Sequence, residues 1–177
     1  MIPSLAALQD ALAEVVTADD PQDIPAVLAA LSEPDLRRYA RGLRQKRWAE
    51  VAATVPLAAR VLPELHARYD AWLRAHPPAA RDSLLAPGAA EALRALPALA
   101  DALAGDPGQA PYAAELLAFE VLAACSRADG TPRTLRTRVA IHDVVAELRR
   151  GLIPVDPAPD AHEYRFERGG PRHRRLP

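Results

Sequence analysis

The side chains best equipped for chemistry are five histidines, one cysteine and a few carboxylates set in apolar surroundings. His66, His76, His142, His162 and His173 lie singly among loops and element ends. Zinc hydrolases place two imidazoles on one helical turn, as in H-x-x-x-H or H-E-x-x-H, or join them to a cysteine pair. Neither spacing occurs, so no metal site and no cofactor is expected. Cys125 closes an apolar stretch, where a buried, inert thiol is expected rather than a nucleophile. A lone cysteine makes no internal disulfide, which points to a reducing cytoplasmic setting. G-x-S-x-G, the Walker loop and G-x-G-x-x-G are all missing, so the familiar acyl-transfer and nucleotide sites are not expected. Glu115 and Glu120 alone interrupt the apolar run AAELLAFEVLAAC, and Glu120, deeper in it, must reach the surface or find a partner. The expected partner is an arginine, with the long helix described below as its source. A general-base role would need a pocket and a second titrating group beside it.

Arginine supplies nearly all of the basic charge, with Lys46 the one lysine. Arg37, Arg41 and Arg44 recur at i, i+4 and i+7, continued by Lys46 and Arg47, and so share one helix face. Such a stripe is usually solvated and paired with nearby acids. Its sharper reading is a nucleic-acid-binding regulator, against which stands a net charge of -1 from 22 basic and 23 acidic residues. A denser cluster fills the tail, where Arg165, Arg168, Arg172, Arg174 and Arg175 surround Tyr164 and Phe166, and Arg136 and Arg138 lie in an earlier strand. An edge strand of this kind can add an extended peptide by main-chain hydrogen bonds while its arginines grip acidic side chains. Charge on an edge also guards against aggregation. The expected contact set is Arg136, Arg138, Tyr164, Arg165, Phe166 and Arg168.

The elements that must position these residues are mostly helical. Ser4 can cap an amphipathic helix to about Val16, and Asp19, Asp20 and Pro21 end it before a short helix over Pro25 to Leu31. Ser32 caps the longest helix, Pro34 to about Val55, with Leu36, Ala40 and Leu43 as an apolar stripe. Pro56 restarts the chain for a short continuation over Leu57 to Leu62, and Pro63 opens a helix that ends at His76-Pro77-Pro78. Pro87 to Ala104 reads as one or two short helices separated at Pro97. Ala113 to Cys125 reads as a helix buried on most sides, followed by a polar turn from Arg127 to Pro132.

After Pro132 the periodicity changes. Leu135, Thr137, Val139 and Ile141 alternate with polar residues as in a half-buried strand, and His142 to Gly151 forms a short helix. A proline-rich linker, Pro154 to Pro159, precedes a strand over His162 to Arg168, and Gly169-Gly170 turns into a last strand near His173 to Leu176. The expected fold is mainly α: a helical bundle over residues 1–130 and a small α+β unit over 131–177. On that division the tail can be removed without unfolding the helices. The N-terminus lacks the basic start and cleavage site of a signal peptide, and no stretch approaches the roughly 20 apolar residues of a membrane span.

Three stretches carry a resemblance to a known family: LRRYARGLRQKRWAEVAATVPLAARVLPELHARYDAWLRAHPP (Leu36 to Pro78), PYAAELLAFEVLAA (Pro111 to Ala124), and the terminal unit with YRFERGG. From Leu36 onward the chain resembles a bacterial family described as DNA-binding domains, whose relatives include the partner subunits of methanobactin-type biosynthesis. The N-terminal helix pair has no counterpart in it. The resemblance implies a non-catalytic accessory protein that forms a heterodimer with a multinuclear non-haem iron oxygenase acting on ribosomally made peptides. The precursor's leader is then a second ligand, and the iron stays in the enzyme.

Overall fold

The structure is a computed structural model that describes residues 4, 7, 8, 10–12, 15, 28, 32–76 and 85–177. Ser4 Oγ accepts the Ala7 N–H at 3.2 Å, the cap expected of the first helix, and the described residues from 7 to 15 are helical. The short helix read over Pro25 to Leu31 lies outside the described residues apart from Leu28. Ala11, Val15 and Leu28 are buried against Leu36 and Ala40, so the apolar stripe of the longest helix has its partner.

That longest helix is α1, Glu33–Thr54, followed by α2, Pro56–Val61, and α3, Leu65–Ala75. The Ser32 side chain accepts the Asp35 N–H, with Pro34 in the first turn. α4, Pro87–Ala104, runs unbroken through Pro97, where a separation was expected. Pro97 is exposed, so the carbonyl that loses its helical donor there can be hydrated instead. α5, Ala113–Asp129, also outruns the polar turn expected from Arg127. It stops at Gly130, whose φ of 74° is the left-handed conformation that suits glycine after a helix.

The remainder is β1 (Arg133–Val139), α6 (Ile141–Arg149), β2 (Pro159–Glu167) and β3 (Gly170–Arg175), in an antiparallel sheet of order β1-β2-β3. Glu167 pairs with Gly170, so Arg168 and Gly169 form the hairpin tip and Gly170 supplies the positive φ of 111°. β2 therefore sits in the middle. His162, Tyr164 and Phe166 point inward from it, as strand alternation requires.

One hydrophobic core joins the helices to the sheet. It runs from Val51, Val55 and Tyr69 through Leu99, Leu116 and Val121 to Ile141, Leu148, Tyr164 and Phe166. Phe119 of α5 meets Tyr164 and Phe166 edge-on, with ring centroids 5.2 and 5.3 Å away. α4 crosses α1 at Gly88, where any Cβ would collide with the backbone carbonyl of Glu50. Among the described residues no helix is long and apolar enough to cross a membrane.

Candidate functional site

Two of the five histidines have structural surroundings. His66 stacks on Trp48 with centroids 4.7 Å apart, and His76 stacks on Trp72 at 4.8 Å while its Nδ1 meets the Trp72 carbonyl at 2.8 Å. The other three come together. His142, in the first turn of α6, His162 on β2 and His173 on β3 each place one ring nitrogen within 4.8 Å of the others.

Strand register explains two of the three. Tyr164 pairs with His173, and His162 pairs with Arg175, so His162 and His173 are diagonal neighbours on the inward face of the hairpin. Tyr164 brings in the third. Its Oη accepts the His142 backbone N–H at 3.2 Å and lies 2.8 Å from His142 Nδ1. A hydroxyl thereby fills the capping position that Ala140, at the start of α6, leaves without a side-chain bond. The ring centroids stand 4.0 Å apart for His142 and His173, 5.0 Å for His142 and His162, and 5.4 Å for His162 and His173.

The three rings differ in access. His162 is only 6% exposed and neither of its ring nitrogens makes a hydrogen bond. Its Nε2 does lie 3.2 Å from Asp160 Oδ2, close enough for ionic attraction although the pair is not aligned for a hydrogen bond. Contact with the His162 ring, and then the charge of Arg175, hold the Asp160 carboxyl below the usual range against its partial desolvation. Burial, reinforced by His173, pushes His142 below its ordinary value and so favours the neutral imidazole. His173 is exposed on the edge strand.

The opposite face of the sheet is a separate feature. Arg136 and Arg138 of β1, Arg165 of β2, and Arg172 and Arg174 of β3 alternate outward with Glu163 and Glu167. Glu163 lies between Arg136 at 3.0 Å and Arg174 at 2.7 Å, and these two cations lower its carboxyl pKa. Glu167 lies between Arg165 at 3.0 Å and Arg172 at 4.0 Å. Glu115 of α5 holds Arg138 by its backbone N–H and its Nε, at 3.0 and 2.9 Å. Five arginines against three glutamates leave this face cationic, and among the described residues no strand pairs with the outer edge of β3.

The expected contact set is therefore divided. Arg136, Arg138, Arg165 and Arg168 are exposed, whereas Tyr164 and Phe166 are 1% and 0% exposed and belong to the core. Strand alternation separates them: aromatic residues two apart share the inward face, and the arginines between them face water. The two rings support the sheet and cannot touch a docked partner. In the α1 stripe, Arg37 pairs with Glu33 at 2.6 Å on the surface, and the partly buried Arg44 approaches Asp70 at 3.9 Å.

Glu120 has a different partner from the arginine expected. Its carboxylate accepts the N–H groups of Leu57 and Ala58, at 3.1 and 2.8 Å, at the start of α2. Val55, the residue preceding α2, supplies no side-chain cap, so a carboxylate from α5 satisfies donors that the local sequence leaves open. Burial pushes this carboxyl above its ordinary value and the two backbone bonds oppose the shift. Cys125 is fully buried, its Sγ is 3.6 Å from the Ala89 carbonyl, and burial raises its thiol pKa, so little thiolate forms.

Comparison of the chain with protein-family models, with curated proteins and with solved structures finds no match in any of the three.

Proposed function

We propose that this chain is a non-catalytic accessory subunit that pairs with a peptide-modifying multinuclear non-haem iron oxygenase and holds the acidic leader of that enzyme's precursor peptide. The resemblance over Leu36 to Pro78, Pro111 to Ala124 and the YRFERGG tail suggests the enzyme class. The cationic outer face of the sheet carries the binding half of the reading. Its arginines are ordered by Glu163, Glu167 and Glu115, which fixes their planar forks for bidentate contact with carboxylates. An extended peptide added beside β3 would run along that face. The loop before β2 exposes Leu152, Ile153 and Val155 by 55%, 66% and 86%, and such a run of apolar side chains suits contact with the enzyme. The nucleic-acid reading gains nothing from Arg37 and Arg44, which have acidic neighbours.

The test is to look for a multinuclear non-haem iron oxygenase encoded beside this chain and to reconstitute the pair. The two proteins should co-elute as a heterodimer, and precursor modification should depend on both. Reversing charge with Arg165→Glu and Arg172→Glu should weaken leader binding and flatten its salt dependence while the heterodimer survives. An enzyme that modifies its precursor at full rate alone would refute the proposal.

A further inference from the structure

We infer that His142, His162 and His173 form a binding site for a divalent transition-metal ion of the Zn²⁺ type, which ties the edge strand β3 to α6. Three elements converge on one point, with a nitrogen from each ring within 4.8 Å of the others. His162 supplies an independent observation: it is 6% exposed and neither nitrogen has a hydrogen-bond partner. Buried polar atoms are seldom left unpaired, and an imidazole lone pair directed at a metal resolves the deficit.

The surroundings match what ligating imidazoles need. A metal-bound histidine usually gives its other nitrogen to an oxygen that fixes ring and tautomer. His142 has Tyr164 Oη 2.8 Å from Nδ1, so its Nε2, 3.6 Å from Asp143 Oδ1, is the nitrogen that can turn to the ion; His162 has the Asp160 carboxylate 3.2 Å from Nε2, out of line for a hydrogen bond as it stands, which leaves Nδ1. A Zn–N bond of about 2.0–2.1 Å in tetrahedral geometry brings ligand nitrogens to about 3.3 Å apart, closer than the widest separation here. His173 must therefore turn out of its stack on His142, and its exposed position on the edge strand leaves room for that rotation. Three neutral nitrogen donors with a fourth position toward solvent suit Zn²⁺, Co²⁺, Ni²⁺ or Cu²⁺ and do not suit Mg²⁺ or Ca²⁺.

The site does not depend on the accessory-subunit reading, and it is tested on the isolated full chain. Protein carrying no polyhistidine tag is stripped with a chelator and titrated with Zn²⁺ by calorimetry, then with Co²⁺ by absorption. One ion per chain should bind, the Co²⁺ form should show the intense ligand-field bands of a centre with low coordination number, and Tm should rise with Zn²⁺ concentration. His162→Ala could fail by unfolding, so the deciding variant is the exposed His173→Ala. It should keep the wild-type circular dichroism spectrum and weaken Zn²⁺ binding by at least about tenfold, a loss that even a change outside the ligand set can produce. His76→Ala should bind as wild type does. Absence of saturable uptake by the wild-type chain, or uptake undiminished in His173→Ala, would overturn the inference.

Discussion

Replacing Glu120 tests whether a carboxylate on one helix can cap another helix far away in sequence. In Glu120→Ala the N–H groups of Leu57 and Ala58 lose their acceptors. Ala58 is fully buried and Leu57 partly exposed, so water can replace the lost bond at Leu57 and not at Ala58. An unsatisfied buried donor costs about 1–3 kcal/mol, which for this pair amounts to about 3 kcal/mol. A domain of this size then loses about 6–12 °C in Tm. Glu120→Gln keeps one carbonyl acceptor and should cost about half as much. The pH dependence provides a second check. Because burial raises the carboxyl above its ordinary value of 4.5, the folded state holds the proton more tightly than the unfolded state. Stability linked to this group is thus fully present below that value and is lost as pH rises through the folded pKa. Relative to Glu120→Gln, the wild type should gain stability on acidification from neutral pH. Urea denaturation at a series of pH values reads both effects. A Glu120→Ala variant within about 0.5 kcal/mol of wild type, the range of an ordinary surface substitution, would refute the capping argument. A wild-type advantage over Glu120→Gln that widens toward high pH would refute the assigned direction.

Other consequences can be measured in the same way. Gly88→Ala should force α4 away from α1, because the added methyl meets backbone; a loss of about 2 kcal/mol or more by denaturant titration is expected. Arg47 and Glu91 join the same two helices through a bidentate pair with side chains 16% and 11% exposed. A double-mutant cycle with Arg47→Ala and Glu91→Ala should give a coupling above about 1 kcal/mol, because either single change leaves a half-buried charge alone. Truncation before Pro159 should yield a chain with a broad, non-cooperative thermal transition and strong binding of a hydrophobic dye, whereas a sharp wild-type-like transition would show the helices to be independent of the sheet.

The long-range features were legible in the sequence only where one element carried all of the information. Ser32, Pro34 and the stripe Leu36, Ala40 and Leu43 identified α1 and its buried face, because caps and helical periodicity are local. Gly169-Gly170 identified the hairpin within a residue of its actual tip. Proline at position 97 misled, since its effect depends on whether the orphaned carbonyl faces water, and that is decided by packing. The histidine cluster was half legible. Extending the hairpin register places His162 diagonal to His173, and the alternation that put Tyr164 inward puts both histidines beside it. His142 was not, because its position depends on how α6 folds back over the sheet, for which the sequence contains no pairing rule. The partner of Glu120 was hidden for the same reason: backbone donors leave no mark in the residue alphabet.

α5 is why the helices and the sheet cannot be treated as independent bodies. Its nearly all-apolar sequence would suit a helix surrounded by others, yet each of its distinctive side chains serves a different neighbour. Glu115 holds β1 at Arg138, Phe119 lies against Tyr164 and Phe166 of β2, Glu120 caps α2, and Cys125 packs under α4. One rod thus carries contacts toward the sheet and contacts toward the helices. Removing Tyr164 and Phe166 would strip one side of that rod, and truncating a buried aromatic ring costs about 3–5 kcal/mol. Two such losses approach the entire stability of a typical domain, about 5–15 kcal/mol. The change in sequence pattern after Pro132 therefore marks a change of secondary structure within a shared core. A ligand that orders β3, whether a metal ion at its inward histidine or a peptide along its arginines, acts on the surface of that core and so bears on the stability of the helices as well.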